Sequence, residues 1–227
     1  AKEIFERYKI DQRKWFVGMH LRTEQDHQAQ RNANIKIYQE AIDLINEKGG
    51  NVILIGTKKN KSAYSNLKNC IDLTKLELSR FESESFSLFV WCYSRFFIGS
   101  LSGGTFPPIT FNTPIIWLDY HPTNHFLPPN PADFVLPKKI YYQKEKRFLS
   151  YTESQDPKHS KCQSESPLIA KQNGYELFSV NKEIMQLSII KMLENTSENN
   201  SIQYTPIEHP DVNEYTPYFS GPEILES

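Results

Sequence analysis

The strongest constraint on the fold is an alternation of short apolar runs with amphipathic segments. Residues 15–21 form an apolar run rich in strand-forming side chains, and residues 51–56 form a second run of the same kind. Between them, apolar residues recur at helical spacing as far as Gly49-Gly50, a common C-terminal signal of helices. Continuous apolar strands joined by a helix are typical of parallel sheets, so this stretch predicts a βαβ unit.

The alternation continues as far as position 118. A short helix is expected within residues 59–69, a short strand at residues 70–73, and then a helix around residues 86–93. This last helix is apolar on almost every side and should be heavily buried. Further strands are expected at residues 96–99 and 114–118. The whole pattern predicts an α/β fold with a Rossmann-like open parallel sheet.

The second half of the chain is less regular, because the 14 prolines lie after position 106. A late edge strand is expected at residues 175–179, and a final helix is expected to begin after Asn181, a favourable N-cap. Residues 1–195 are therefore predicted to form one domain. Residues 196–227 are predicted to be a C-terminal tail. Its aromatic residues indicate that it packs on this domain or on a further, N-terminal lobe.

Charge and composition argue against several function classes. With 26 basic against 27 acidic side chains, a net charge of −1 argues against nucleic-acid binding, which normally requires a basic excess. No apolar run approaches the ~20 residues that cross a bilayer. The cysteines Cys70, Cys92 and Cys162 form no C-x-x-C pair, so we expect a reducing compartment and a cytoplasmic location. The sequence lacks an initiator Met, and we expect a fragment or a processed product.

The triplet His20-Leu21-Arg22 ends the first predicted strand. In open α/β sheets, ligands bind outside the carboxyl ends of the strands. A guanidinium at that place offers a planar fork suited to phosphate oxygens. The alternative is that Arg22 pairs with Glu24 or Asp26 on the surface, and the residues alone leave both interpretations open.

A second polar segment, residues 99–105, follows a later strand. Its glycines allow the backbone to approach a ligand closely. The proline pair that comes next places the start of a short helix near Thr105 or Phe106, because proline is tolerated only in the first helical turn. Free N–H groups at a helix start attract anions, whereas the alternative is a tight turn without a ligand. The candidate ligand-binding residues are Ser102, Gly103, Gly104 and Thr105.

The motifs of several rival sites are absent from the sequence. No G-x-G-x-x-G follows the first strand, which argues against a dinucleotide dehydrogenase, and there is neither a P-loop motif nor a G-x-S-x-G elbow. The six histidines show no H-E-x-x-H spacing, and we expect no metal site. Asp72 and Asp119 end predicted strands, where they either contact a ribose or base or, the favoured interpretation, cap a turn.

The order and spacing of several motifs resemble a bacterial family of glycosyltransferases. The first strand of that family carries a His-x-Arg motif like that of GDP-fucose-dependent fucosyltransferases. The similarity runs over most of residues 15–195. The matching residues are Phe16-Val17-Gly18-Met19-His20-Leu21-Arg22, Arg31-x-Ala33-x-Ile35-x-x-Tyr38, Gly49-Gly50-x-Val52, Cys92-x-x-Arg95-Phe96-Phe97-Ile98-Gly99-x-x-Ser102-Gly103, Pro114, Lys138 and Leu149-Ser150-x-x-Glu153.

The resemblance implies a GT-B glycosyltransferase, in which two Rossmann-like halves face a cleft. This chain resembles the C-terminal, donor-binding half, and the acceptor-binding N-terminal lobe has no counterpart in it. By resemblance, Arg22 would hold the donor pyrophosphate with help from residues 102–105. Arg31 would bind phosphate or tie the loop to a carboxylate. His20 and Glu24 would be the candidate catalytic bases, with no metal or other cofactor.

The implied function is transfer of a sugar from a nucleotide-diphosphate sugar to a hydroxyl of a glycan or another acceptor, as in polysaccharide biosynthesis. A GDP-linked sugar is one candidate donor. Without its partner lobe, the chain would bind the donor but transfer nothing. Two alternatives stay open: a non-catalytic ligand-binding or assembly module of the same fold, and a sugar-nucleotide epimerase or hydrolase.

Overall fold

A computed structural model describes residues 2–11, 13–23, 28–121 and 132–197. Most of the described chain is a six-stranded parallel sheet with helices packed on its two faces. The strands of this sheet are β1 Phe16–His20, β2 Asn51–Leu54, β3 Ile71–Asp72, β4 Phe97–Gly99, β5 Ile115–Tyr120 and β6 Phe134–Pro137. Their spatial order is β3-β2-β1-β4-β5-β6, the order of the Rossmann fold. The predicted fold class is therefore confirmed.

The structure contains the helices expected between the strands and after Asn181. It also contains an α-helix before β1 and two short α-helices between the main sheet and the last helix, none of which the sequence predicted. Three 3₁₀ helices used below are Leu73–Lys75, Pro107–Phe111 and Pro157–Gln163. The α-helices are α1 Lys2–Arg7, α2 Ile35–Glu47, α3 Lys61–Tyr64, α4 Arg80–Tyr93, α5 Tyr151–Gln155, α6 Pro167–Gln172 and α7 Lys182–Asn195.

The core has two layers because successive side chains of a strand point to opposite faces of the sheet. On one face Val17 and Met19 of β1 pack with α2 and α7. On the other face Phe16 and the neighbouring strands pack with α1 and α4. The apolar face of α2 that the sequence predicts is the face that is buried. The helix begins after Asn34, whose side chain caps it by accepting a hydrogen bond from the Lys36 N–H.

The expectation of a heavily buried helix at residues 86–93 was wrong. In α4, only Phe86 and Val90 are classed as buried, while Phe81 is 78% exposed and Leu88 51% exposed. The sequence is apolar on several faces, but the helix lies on the outside of a three-layer fold, so one face alone meets the sheet. Its start is fixed by a capping box between Ser79 and Glu82.

A second, smaller sheet follows the main one. It is antiparallel, with the order β8-β7-β9, and its strands are β7 Lys139–Tyr142, β8 Arg147–Phe148 and β9 Tyr175–Phe178. The predicted late strand is confirmed as β9, which pairs with β7 and, among the described strands, lies at an edge of this sheet. The other two strands had no clear pattern in the sequence. We refer to residues 139–178 as the small lobe.

The final helix is confirmed as α7, with Asn181 as its N-cap: the Asn181 side chain accepts from the Ile184 N–H at 2.9 Å. Of the predicted tail, only residues 196 and 197 belong to the described residues, so its packing stays a prediction. Within the described ranges, no helix is long and apolar enough to span a membrane.

Candidate ligand cleft at the carboxyl ends of β1 and β4

The two predicted polar segments leave the sheet side by side. β1 and β4 are neighbouring parallel strands, and His20 lies opposite Gly99 in their register. From β1 the chain proceeds to β2 and β3 on one side, whereas β4 leads to β5 and β6 on the other. The crevice between β1 and β4 is therefore the point where the strand order reverses, and open α/β sheets bind ligands at this point.

Direct hydrogen bonds join these two segments. The Arg22 N–H donates to Ser100 Oγ at 3.0 Å, and Ser102 Oγ lies 2.9 Å from His20 Nδ1. Arg22 is only 8% exposed, although it lines the cleft described below. The first segment and the glycine-bearing loop, which the sequence placed about eighty positions apart, therefore form one local structure.

Two adjacent glycines have different surroundings in this loop. A Cβ built on Gly104 would lie 2.5 Å from His20 Cδ2, so the absence of a side chain lets the loop cross the imidazole face. A Cβ on Gly103 would meet nothing within 4 Å. The close approach thus belongs to Gly104, while Gly103 is exposed at the rim of the cleft.

The loop presents backbone donors to the cleft. Among the described residues, no acceptor receives the N–H groups of Ser102, Gly103 and Gly104. The Thr105 N–H, by contrast, donates to the Ser102 carbonyl at 3.0 Å, and the Thr105 hydroxyl donates to the Ser100 carbonyl at 2.7 Å. Thr105 is fully buried and is not among the cleft-lining residues. The contacts of Thr105 therefore stabilise the loop on the side away from the cleft.

The loop is followed by a 3₁₀ helix, Pro107–Phe111, with Phe106 as its N-cap. The start lies close to the position that the proline pair predicts. At five residues the helix is too short to carry much of a dipole, since the helix field comes from many aligned peptides. The loop amides that have no acceptor within the described part of the chain are therefore the more important donors here.

A cleft of about 800 Å³ opens in front of these segments. One end is polar and is formed by His20, Arg22, Gly103 and Gly104. The other end extends past the carboxyl ends of β2 and β3 to α4, where apolar side chains lie among polar and charged ones. Its apolar residues are Ile55, Leu73, Leu76, Leu78 and Trp91. A volume of this size is typical of small-molecule sites.

Arg31 lies beside the cleft and uses its guanidinium within the protein. Nε and Nη2 donate to the Leu101 carbonyl at 3.1 and 2.8 Å. Nη1 lies 3.4 Å from Glu165 Oε1. Of the two roles that the resemblance allowed, the observed contacts match the second, which ties the loop to a carboxylate.

The other predicted candidates are placed as follows. Glu24, like Asp26, lies outside the described residues, so neither its catalytic role nor a surface ion pair with Arg22 is tested. Asp72 caps a turn: its carboxylate accepts from the Thr74 N–H and hydroxyl at 2.9 and 2.7 Å. Across the described ranges, no three His, Cys, Asp or Glu side chains converge as metal ligands would.

Asp119 also has a structural role. It is fully buried and accepts from the N–H groups of Asn34 and Val180, both at 3.1 Å. Burial raises the pKa of its carboxyl, and nearby Lys138 opposes that rise. Burial likewise lowers the pKa of Lys138, whose Nζ donates to the carbonyls of Gln30 and Asn32 at 2.8 and 2.7 Å. The basic pair Lys138-Lys139 is typical of a solvated face, and for Lys138 that interpretation is wrong, because the side chain is only 8% exposed.

Comparison with known proteins finds likeness in structure. No family model matches the chain, and no curated protein matches it significantly. A glycosyl transferase family 9 structure from Veillonella parvula matches at 14% identity and TM-score 0.59, covering 86% of this chain and 50% of its own. E. coli ADP-heptose LPS heptosyltransferase II matches at 15% identity and TM-score 0.48, covering 75% of this chain and 51% of its own.

The likeness to the Veillonella structure shows that the two share a fold, while the E. coli match is too distant to carry an argument. This chain spans about half the length of these two structures. The described sheet thus matches part of a glycosyl transferase family 9 structure in fold. That the match is the donor-binding half, and that the His-x-Arg triplet is fucosyltransferase-like, both stay predictions.

Proposed function

We propose that this chain is the donor-binding part of a nucleotide-sugar glycosyltransferase. The observation that carries the proposal is the meeting of Arg22 and the 102–104 loop at one end of an open cleft, at the reversal point of a Rossmann-like sheet. A guanidinium and a run of amides for which the described ranges hold no acceptor favour a group with several anionic oxygens. The shared fold with a glycosyl transferase family 9 protein agrees with this proposal.

The cleft suggests how a donor would lie. The diphosphate would occupy the polar end, near Arg22, Gly103 and Gly104. The nucleoside would extend towards the other end, where Leu76 and Trp91 offer apolar surfaces for a flat ring beside polar side chains. The sugar would be presented towards the acceptor, a hydroxyl of a glycan or of another molecule.

The reaction would break the bond between the anomeric carbon and the diphosphate oxygen. A new bond would form from that carbon to the acceptor oxygen, whose proton passes to a base. Fixed donors aimed at the departing diphosphate stabilise the charge that develops on it, a contribution that is often the largest in such reactions. Arg22 and the loop amides would supply these donors. His20, which lines the cleft, is our candidate for the proton acceptor.

A panel of nucleoside diphosphates in a thermal-shift experiment tests the proposal. We expect ADP, GDP, UDP or CDP, or one of their sugar conjugates, to raise the melting temperature by about 5 °C or more at saturating concentration. The corresponding nucleoside without phosphates should raise it less, and inorganic phosphate is the control for weak anion binding. If no member of the panel shifts the melting temperature, the proposed function is wrong.

The open cleft also suits a module that binds the same ligand without transferring the sugar. An epimerase or a hydrolase is a further option of similar architecture. Product analysis with the chain in its full-length protein separates them: a glycosylated acceptor supports transfer, an altered or free sugar supports the epimerase or hydrolase, and bound but unchanged donor supports the module.

A further inference from the structure

The Arg31 guanidinium faces the loop rather than the cleft. Two of its nitrogens, Nε and Nη2, donate to the carbonyl oxygen of Leu101. The third, Nη1, donates to Gln28 Oε1 at 3.2 Å and pairs with Glu165. The side chain is 17% exposed and is not among the cleft-lining residues. Each nitrogen therefore has a partner inside the protein.

The bond to Leu101 determines how the loop presents its donors. In a trans peptide the C=O and the next N–H point to opposite sides. Because the Leu101 carbonyl is turned towards Arg31, the N–H of Ser102 is turned away from it. Ser102 lines the cleft and begins the run of three amides that have no acceptor among the described residues. Arg31 thus fixes the peptide at which this run begins.

Arg31 is in turn held by the small lobe. Glu165, in the connection between Pro157–Gln163 and α6, contributes its carboxylate to the ion pair and its carbonyl to the Gln30 N–H at 3.1 Å. On the other side, Lys138 binds the carbonyls that flank Arg31. The segment that carries Arg31 is therefore anchored to residues at the start of the small lobe and within it.

We propose that Arg31 is a positioning residue for the diphosphate, that Glu165 sets its position, and that the small lobe thereby controls diphosphate affinity through the 101–104 loop. This inference rests on the proposed function, because it requires a diphosphate at the polar end of the cleft. It differs from a direct phosphate contact by Arg31, and the two ideas predict opposite signs for one substitution.

That substitution is Glu165→Gln, measured by calorimetry with the nucleoside diphosphate that binds most tightly in the panel above. If Glu165 orients Arg31, its loss should weaken binding by about two- to fivefold, the size expected for a partly exposed ion pair. If Arg31 itself binds phosphate, removing the competing carboxylate should strengthen binding. A stronger complex, or an unchanged one, overturns the proposal.

Arg31→Lys provides the second test, because it keeps the charge but not the fork that grips Leu101. We expect diphosphate affinity to fall about tenfold, the size expected when a charge-assisted hydrogen bond is lost. Affinity for the nucleoside without phosphates should stay unchanged, which a merely structural role would not produce. Near-native diphosphate affinity in Arg31→Lys, or a parallel loss of nucleoside affinity, contradicts the proposal.

Glu145→Gln is the matched control. It removes the same charge from the same lobe, at the exposed Arg147–Glu145 pair, whose nitrogen and oxygen lie 2.7 Å apart. Diphosphate affinity should not change in this variant. The two possible failures can be told apart. If the native protein binds no member of the panel, the proposed function is wrong. If the native protein binds one and Glu165→Gln binds it with the same affinity, only the positioning role is wrong.

Discussion

Polar groups at the carboxyl edge of the main sheet lie in two different environments. At the ends of β1 and β4, the amides of Ser102, Gly103 and Gly104 have no acceptor among the described residues, and they border an open cleft. At the ends of β5 and β6, Asp119 and Lys138 are buried and bonded to the backbone around them. A polar residue after a parallel strand is thus a weak sign of a binding site. The stronger sign is a donor whose hydrogen bond the protein leaves unmade.

If this contrast is correct, substitutions beside β5 should mainly change stability, and substitutions beside β1 and β4 should mainly change ligand affinity. Three predictions test it, and a fourth tests how the loop after β4 packs on His20; they run from the largest expected effect to the smallest.

Asp119→Ala should lower the free energy of unfolding by about 3–5 kcal/mol, because it leaves buried donors and the Lys138 charge without their carboxylate. Its lost partners include the Ser179 hydroxyl at 3.0 Å. Asp119→Asn should cost clearly less, since Asn keeps an acceptor and tolerates the positive φ of 57° at this position. Urea unfolding measures both variants. A loss below about 1 kcal/mol for Asp119→Ala would show that this region is not the bonded network described.

His121, at the end of β5, should make the fold sensitive to acid. Burial lowers the pKa of His121 to about 4 from the ordinary 6.5, and the Lys138 charge contributes to the shift. The unfolded chain therefore binds the proton at a higher pH than the folded chain. Stability should fall as the pH drops from about 6.5 to about 4, by about 2–3 kcal/mol from this group.

The matched variant for this pH dependence is His121→Gln, which keeps a donor near the Ser164 carbonyl, 3.3 Å from Nε2 in the native protein. The difference between native and variant unfolding energies at pH 7 and pH 4.5 isolates the histidine from the carboxylates. Identical pH dependence in the two proteins would contradict the burial argument.

Arg22→Ala should weaken nucleoside diphosphate binding by roughly 10- to 100-fold, since a charge-assisted hydrogen bond contributes about 1.5–3 kcal/mol. The melting temperature should change little, because the variant keeps the backbone bond from residue 22 to Ser100. Calorimetry gives the affinity and a thermal melt gives the stability. If the variant binds the nucleoside diphosphate with native affinity, Arg22 is not part of the binding site.

The two glycines of the loop give the finest test, because each is the control for the other. Gly104→Ala should cost about 1–2 kcal/mol of stability, since its methyl group would force the His20 ring or the loop to move. Gly103→Ala places its methyl group in open space and should leave stability unchanged. Equal stability of the two variants by urea unfolding would show that the loop does not cross the imidazole as described.

The sequence predicted the main sheet well because its strands are continuous apolar runs and its longer helices are bounded by strong signals. Gly49-Gly50 after α2 and Asn181 before α7 are examples. It predicted the exposure of α4 poorly, since an apolar residue such as Phe81 carries no mark of the face on which it lies. The strands β7 and β8 are short and mix charges with aromatics, so their pairing depends on contacts that no local pattern contains.

The candidate site was predictable in part, because the order of the strands could be inferred from the sequence. The topology of a parallel sheet brings the ends of β1 and β4 together, so the association of Arg22 with Ser100 follows from the fold. The internal use of Arg31 and the role of Thr105 behind the loop depend on side-chain directions at residues outside regular structure. The sequence did not indicate the ion pair of Glu165, because its partner Arg31 lies more than a hundred positions away along the chain.

The central claim is that one anionic ligand occupies the polar end of the cleft. Its most direct test is an NMR titration of the isotope-labelled 26.5 kDa chain with the nucleoside diphosphate selected by thermal shift. We expect the backbone amide signals of Ser102, Gly103 and Gly104 to move together and to saturate, while those of His121 and Lys138 remain in place. Signals that stay still in the loop, or that move only beside β5 and β6, would contradict the account.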